Sequence, residues 1–266
     1  MGHTRSHSEH GSQATCRRWY LAFGPGRVGR RRIPGPPREI AGALLFFCPP
    51  ERAALPAMPT RTVPCNPFEE NVYIAFDEVS KEAIVIDPGF YNEEEFLKAD
   101  SFLKQNGLVV RRVLNTHLHL DHCIGNGWAL RKWNIGAEAS EKDLFLIRNA
   151  AIQAQMFGLE LNEALPDPCK FLKSGDSISV GSLQFLVLEV PGHSPGGLAF
   201  YSPKERVVFA GDTLFRGSYG RTDLPGGNTD QLFNSIRTKL LTLPDDTVVL
   251  CGHGPATTIG EEKLNF

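Results

Sequence analysis

A chain of 266 residues, 41% hydrophobic and 22% charged, has ordinary globular composition and enough length to bury a sizeable core in one large or two small domains. Its net charge of −2 divides unevenly: residues 1–57 hold nine Arg, no Lys and three Glu, a charge of +6, so the remainder carries −8. A mildly acidic body argues against a phosphate-backbone partner, so no nucleic acid is expected. The longest early apolar run, "IAGALLFFC", is far shorter than the roughly 20 residues a membrane span needs, so no membrane is expected either.

Residues 1–57 are rich in Arg, Gly and Pro and carry no sustained apolar period. An Arg-rich, acid-poor start is one mark of a targeting segment. The Pro and Gly content opposes an amphipathic transit helix, so the expectation is a poorly ordered extension ahead of a functional unit at 58–266, with His3, His7 and His10 in the tail. Six cysteines (16, 48, 65, 123, 169 and 251) form no CxxC pair, which is not a disulfide framework. A reducing, cytoplasmic compartment is expected.

From Met58 onward, "NVYIAFD" (71–77), "EAIVIDPG" (82–89) and "RRVLNTH" (111–117) read as strands, the second closed by a Pro-Gly turn. Between the second and third, "NEEEFLKADSFLKQNG" has apolar residues at helical spacing, opens on Asn92 with three Glu in its first turn, and can end at Gly107. "GWALRKW" and "SEKDLFLIRNAAIQAQMFG" read as helices, the latter capped by Ser140 with Asp143 three residues on. After a Pro-rich loop (166–168), "SISV", "LQFLVLEV", "GLAFYS" and "RVVFAG" read as strands, "TDQLFNSIRTKLLTL" as a helix and "DDTVVLCG" as a final strand. Two strand-rich halves with a helical region between them imply two packed sheets with helices outside.

Chemistry collects where these strands end. "RRVLNTH" runs into "LHLDHC", which packs His117, His119, Asp121 and His122 into six positions; "LQFLVLEVPGH" ends at His193, "RVVFAGD" at Asp212 and "DDTVVLCGH" at His253. A single histidine at a strand end is usually just a hydrogen-bonded loop residue. Here all five histidines beyond the extension fall in this one set of motifs, which chance placement does not produce. Imidazoles mixed with carboxylates suit borderline divalent metals rather than calcium or magnesium. Seven such groups exceed one four-coordinate ion and suit two ions about 3.5–4 Å apart. Cys123 and Cys251 adjoin these positions and read as small packing residues. Alternation sets His117, His119 and Asp121 on one side of an extended segment and Leu118 and Leu120 on the other, toward the core.

"THLHLDH", "PGHSPGG", "GDTLF" and "CGHG", in this order, resemble the motifs of the metallo-β-lactamase superfamily, and "GDTLFRGSYGRTDLPGG" (211–227) resembles its glyoxalase II-like hydrolases. The resemblance implies an α/β fold, a four-layer αββα sandwich, with the site at one edge of the paired sheets. It implies one metal on His117, His119 and His193, a second on Asp121, His122 and His253, and Asp212 between them. Zinc is the expected metal, with iron and manganese as alternatives. The implied reaction is hydrolysis of a small-molecule thioester such as a hydroxyacylglutathione by a hydroxide shared between the ions, with Asp121 orienting it or taking its proton.

Tyr219 and Arg221 lie in the Gly-rich loop past Asp212, where Arg221 can fork onto a substrate carboxylate or pair with Asp223 to brace the loop. Two-domain glyoxalase II enzymes carry a C-terminal helical extension that holds glutathione, whereas this sequence ends at "IGEEKLNF"; a single-domain relative with a different or broader thioester substrate is the closer match. The alternatives are an iron persulfide dioxygenase, which shares "GRTD" and would hold one iron on His117, His193 and Asp212, and a nucleic-acid hydrolase of the superfamily.

Overall fold

The computed structural model describes residues 58–161 and 163–266. The segment 1–57, on which the expectation of a poorly ordered extension falls, lies outside the described residues. The first sheet joins β1 (Thr60–Cys65), β2 (Glu70–Phe76), β3 (Glu82–Ile86), β4 (Val109–Leu114), β5 (Ala137–Ala139) and β6 (Lys170–Phe171) in that spatial order. Its first three strands are antiparallel and its last four run parallel. The second sheet contains β7 (Ser177–Val180), β8 (Leu183–Glu189), β9 (Leu198–Ser202), β10 (Val207–Gly211), β13 (Val248–Cys251) and β14 (Thr257–Thr258), in the order β14-β13-β10-β9-β8-β7. A short hairpin, β11 (Leu214–Phe215) and β12 (Ser218–Tyr219), lies between β10 and β13 in sequence.

The near-continuous apolar runs of β2, β3, β9 and β10 follow from burial of both their faces. On the inner faces Tyr73, Ile84, Ile86, Phe185, Phe200 and Phe209 form the core between the sheets. On the outer face of the first sheet, Val72, Ile74, Val85 and Val113 pack against Phe96 of α1 (Glu93–Gln105) and Trp128 and Trp133 of α3 (Asn126–Trp133). On the outer face of the second, Val208, Ala210 and Val249 pack against Leu232 of α6 (Thr229–Ser235) and Ile236 and Leu240 just beyond it. Helix, sheet, sheet, helix is the four-layer sandwich expected from the motifs.

Local signals act as the sequence implies at α1. The Asn92 side chain accepts from the Glu95 amide at 3.0 Å, and Gly107, at φ +64°, turns the chain out. Other boundaries differ. β4 ends at Leu114 rather than at His117: the Asn115 amide still reaches the Glu138 carbonyl at 2.9 Å, but the Thr116 amide leaves the ladder for the Asp87 carboxylate at 2.6 Å. His117 and His119 therefore stand on an unpaired extended segment, and Asp121 and His122 on the short helix α2 (Leu120–Cys123).

The helix expected over 140–158 is a 3-10 turn (Glu141–Asp143) followed by α4 (Leu144–Arg148) and α5 (Ala150–Phe157), broken at Asn149, whose side chain bonds back to the Phe145 carbonyl. The helix from Thr229 passes into a wider turn at Ile236–Leu240. β1, β5, β6, the hairpin, β14 and the terminal helix α7 (Ile259–Glu262) are additions, all short except β1, an edge strand where Pro64 is tolerated.

Phe200 is wholly buried between the sheets. Phe200→Ala is expected to lower the unfolding free energy by about 3–5 kcal/mol in a urea titration of the full chain. A loss below about 1 kcal/mol would show that the interior closes over the gap.

Candidate metal centre

The ends of β4, β8, β10 and β13 point to one edge of the sandwich, and the residues that follow them converge there. Leu118 and Leu120 are buried and anchor the segment from the apolar side, so that His117 and His119 project from the other. Asn115 reinforces this by donating to the His122 carbonyl at 2.8 Å while accepting from Asn126 at 2.9 Å. Cys123 and Cys251 are buried in the neighbouring apolar clusters.

Four overlapping triads result: His117, His119 and His193; His117, His122 and Asp212; Asp121, His122 and His253; and, behind His122, Glu70, Asp87 and His122. Within each, the candidate ligand atoms lie within 4.8 Å of one another. His119 Nδ1 stands 2.9 Å from His193 Nε2, and His122 Nε2 stands 3.3 Å from His253 Nε2. Asp212 reaches both sides: Oδ1 is 3.4 Å from His122 Nε2, and Oδ2 is 3.6 Å from His193 Nε2 and 3.5 Å from His253 Nε2. Asp121 Oδ2 lies 3.3 Å from His253 Nε2. All seven residues expected from the sequence thus meet in one place.

Four of the five outward-facing ring nitrogens are held by oxygen atoms, whereas His119 Nε2 is buried without a partner. His193 Nδ1 donates to the Arg221 carbonyl at 2.7 Å, and His253 Nδ1 to the Phe68 carbonyl at 3.0 Å. His122 Nδ1 lies 3.1 Å from Asp87 Oδ2. The Thr116 hydroxyl spends its proton on Asp87 Oδ2 at 2.6 Å, so its oxygen receives His117 Nδ1 at 3.1 Å. Carbonyls only accept, which places the protons of His193 and His253 on Nδ1 and turns their Nε2 lone pairs inward. His117 Nε2 and Asp212 Oδ1, both aimed into the cluster, are buried with no hydrogen-bonding partner.

Electrostatics completes the fit. Burial, helped by the neighbouring imidazoles, holds His117 well below its ordinary pKa and brings His119 down to about 3, so both keep free lone pairs at neutral pH. Burial pushes the Asp121 and Asp212 carboxyls up, but the imidazoles around them outweigh it, leaving Asp121 at about 2 and Asp212 well below the usual range. Burial opposes charge on His122 and His253 too, yet Asp212 and Asp121 raise both. Ionised carboxylates that draw protons onto adjacent histidines are groups short of positive charge. Imidazole nitrogens and anionic oxygens with unpaired atoms pointing inward fit divalent cations, which would take the place of those protons.

Four supporting residues escaped the sequence reading. The sequence places Asp87 at the end of a strand, before its closing Pro-Gly turn, and Asp143 at a helix start, and it marks neither Glu70 nor Asn66. Asn66 donates to the main-chain carbonyls of Gly89 and Asp121, both at 2.9 Å. Glu70 is wholly buried beside His122 and Asp87, and burial drives its carboxyl well above the usual range. The strand-end rule that found the ligands would also have found Asp87, which follows β3 at the same edge. Of the two residues expected at the substrate, Tyr219 packs against Phe233 and Phe266, and Arg221 makes a two-pronged ion pair with Asp223 at 2.6 and 2.7 Å.

An αββα sandwich with this cluster on its edge defines a class of metal-dependent hydrolases, and the family model agrees. Residues 65–253 match the metallo-beta-lactamase superfamily, to which the chain belongs. It is 39% identical over 205 residues to hydroxyacylglutathione hydrolase GloC of Haemophilus influenzae, covering 76% of this chain and 93% of that protein. Among solved structures, it is similar to BLEG-1 B3 metallo-beta-lactamase (35% identity, TM-score 0.70, 77% of this chain and 96% of that one). It is also similar to TTHA1623 in a di-iron-bound form (38% identity, TM-score 0.66, 79% and 96%). Among the described residues no helix is long and apolar enough to cross a membrane.

Gly252 leaves no room for a side chain: an added Cβ would collide with Asp212 Oδ1 and come within 2.7 Å of His122 Cε1. Gly252→Ala is expected to weaken zinc binding by about tenfold or more while leaving the far-ultraviolet circular dichroism unchanged. Unchanged zinc affinity, by competition with a chromophoric chelator, would show that Asp212 is free to move.

Proposed function

We propose that this metallo-hydrolase cleaves a thioester, holding one divalent ion on His117, His119 and His193, a second on Asp121, His122 and His253, and both on Asp212. The observation that carries this reading is the placement of Asp212, whose Oδ2 lies between His193 and His253, at 3.6 and 3.5 Å from their Nε2 atoms, while Oδ1 faces His122. The similarity to GloC supports a hydroxyacylglutathione-like substrate, and zinc is the proposed metal, with iron and manganese as alternatives.

When bound, such ions supply a water acidic enough to ionise at neutral pH and positive charge to stabilise an oxyanion. The chain's own residues do the rest. His193 and His253 are locked in one tautomer by the Arg221 and Phe68 carbonyls, so their lone pairs stay aimed inward through a turnover. Asp121 turns Oδ2 toward His253 and His122, which leaves Oδ1 to accept the proton of the attacking water. Since a thiol leaves readily as thiolate, the leaving group needs no strong general acid, and no side chain is assigned that role. Arg221, engaged by Asp223, acts through its carbonyl on His193 and braces the loop it shares with Tyr219.

Metal analysis of the purified chain, with a panel of thioesters and a β-lactam followed by thiol release and ring opening, tests this. About two ions per chain and thiol release are expected, with Asp212→Ala and His119→Ala each lowering kcat/KM by about 10³-fold, the loss of several kcal/mol of charge stabilisation. One iron per chain with oxygen uptake on glutathione persulfide would overturn the hydrolase reading. Normal turnover by Asp212→Ala would overturn the two-ion mechanism.

A further inference from the structure

Asp143 is wholly buried, 0% exposed, at the end of the 3-10 turn that follows β5, and it makes no ion pair among the described residues. Its carboxylate is nonetheless fully engaged. Oδ2 accepts from the Ser194 hydroxyl at 2.7 Å and from the Leu118 amide at 3.3 Å; Oδ1 accepts from the Gly196 amide at 2.6 Å. Leu118 lies between His117 and His119, and Ser194 follows His193. One side chain thus ties together the two segments that carry the three histidines of a single triad.

That triad needs such a tie. His119 Nδ1 and His193 Nε2 face each other at 2.9 Å, and the His117 ring centroid lies 4.8 Å from each of the other two. Three ring nitrogens from two separate segments can converge on one ion only while those segments keep this spacing, so the segments must be held in register. Burying an ionised carboxylate is costly, but three donors, one of them a hydroxyl, meet that cost at Asp143. The fit is close enough that Gly196 must be glycine, since an added Cβ would come within 2.6 Å of Asp143 Cγ. Ser194 and Gly196 of "PGHSPGG" are therefore the residues that Asp143 requires.

The other triad is supported differently. Asp87 holds His122, the Phe68 carbonyl holds His253, and Asn66 holds the main-chain carbonyl of Asp121; none of these is bonded to Asp143. We infer that Asp143 is a positioning residue for one metal site only, the His117–His119–His193 site, by clamping the His117–His119 segment to the His193 loop. The inference rests on the two-ion reading given above.

The test is zinc titration of the stripped full-length protein against a chromophoric chelator, with cobalt(II) visible absorption as a second readout. Wild-type protein is expected to show two affinities, and His119→Ala identifies which belongs to the triad. Asp143→Asn replaces an acceptor oxygen by a donor amide. It should weaken that affinity by about 10–100-fold and change the cobalt absorption of that site, leaving the other affinity within about twofold. Ser194→Ala, which removes one donor, should weaken the same site by less.

A folded Asp143→Asn protein that binds both ions as wild type does, or loses both equally, overturns the inference. Should Asp143→Asn fail to fold, Ser194→Ala decides: selective weakening upholds the inference, and unchanged binding overturns it. Wild-type protein that binds a single zinc overturns the two-ion reading instead; Asp143 then keeps its role if Asp143→Asn weakens that one site, and loses it otherwise.

Discussion

Seven imidazole and carboxylate side chains are crowded at one edge of the sandwich, with inward-facing atoms that no protein group satisfies. Left to themselves they would separate and hydrate, since buried polar atoms without partners cost free energy. The rest of the molecule opposes this. The phenylalanines between the sheets hold the two strand sets together, and direct bonds bridge the sheets beside the site. Tyr73 donates to the Cys251 carbonyl at 2.7 Å, Asn71 donates to the same carbonyl at 3.1 Å, and the Asn71 amide reaches Gly252 at 2.8 Å. β2 thereby fixes the turn that delivers His253, and the two halves of the cluster stay in register.

The architecture was largely legible because its signals are local and repeated. Apolar strands ending in Gly-His or Gly-Asp mark both the layers and the edge where a site can form, and the five histidines of 58–266 all fall there. The interleaved Leu118 and Leu120 read as core-facing and are buried, although only Leu118 stands on the unpaired extension and Leu120 opens the helix α2. Its departure from the ladder hangs on Asp87, 29 residues earlier, which takes the Thr116 amide. A local pattern holds no information about such a partner.

Asp143 shows the same limit from the other side. Three residues after a serine at a helix start, an acidic residue is a familiar capping signal. Ser140 does cap, accepting from the Lys142 amide at 3.3 Å, but the Asp143 carboxylate turns inward to Ser194, Gly196 and Leu118. Propensity describes what a residue can do within its own turn. A buried acceptor serves whichever donors the tertiary fold presents, and here those donors lie 25 to 53 residues away. The Ser and the first Gly after His193 carry the matching signal, visible only once the carboxylate is known.

Arg221 illustrates how a residue's side chain and main chain can serve different ends. Its guanidinium is taken by Asp223, an exposed pair that contributes little to stability by itself. Its carbonyl, by contrast, receives the proton of His193 and so decides which nitrogen of that ring faces the cluster. Gly220 beside it admits no side chain, since an added Cβ would run into the Asp212 carbonyl, so the loop lies directly on the strand end that bears Asp212. Loop, histidine and aspartate are therefore in direct contact, and the orientation of His193 is set by the main chain of a residue whose own side chain is engaged elsewhere.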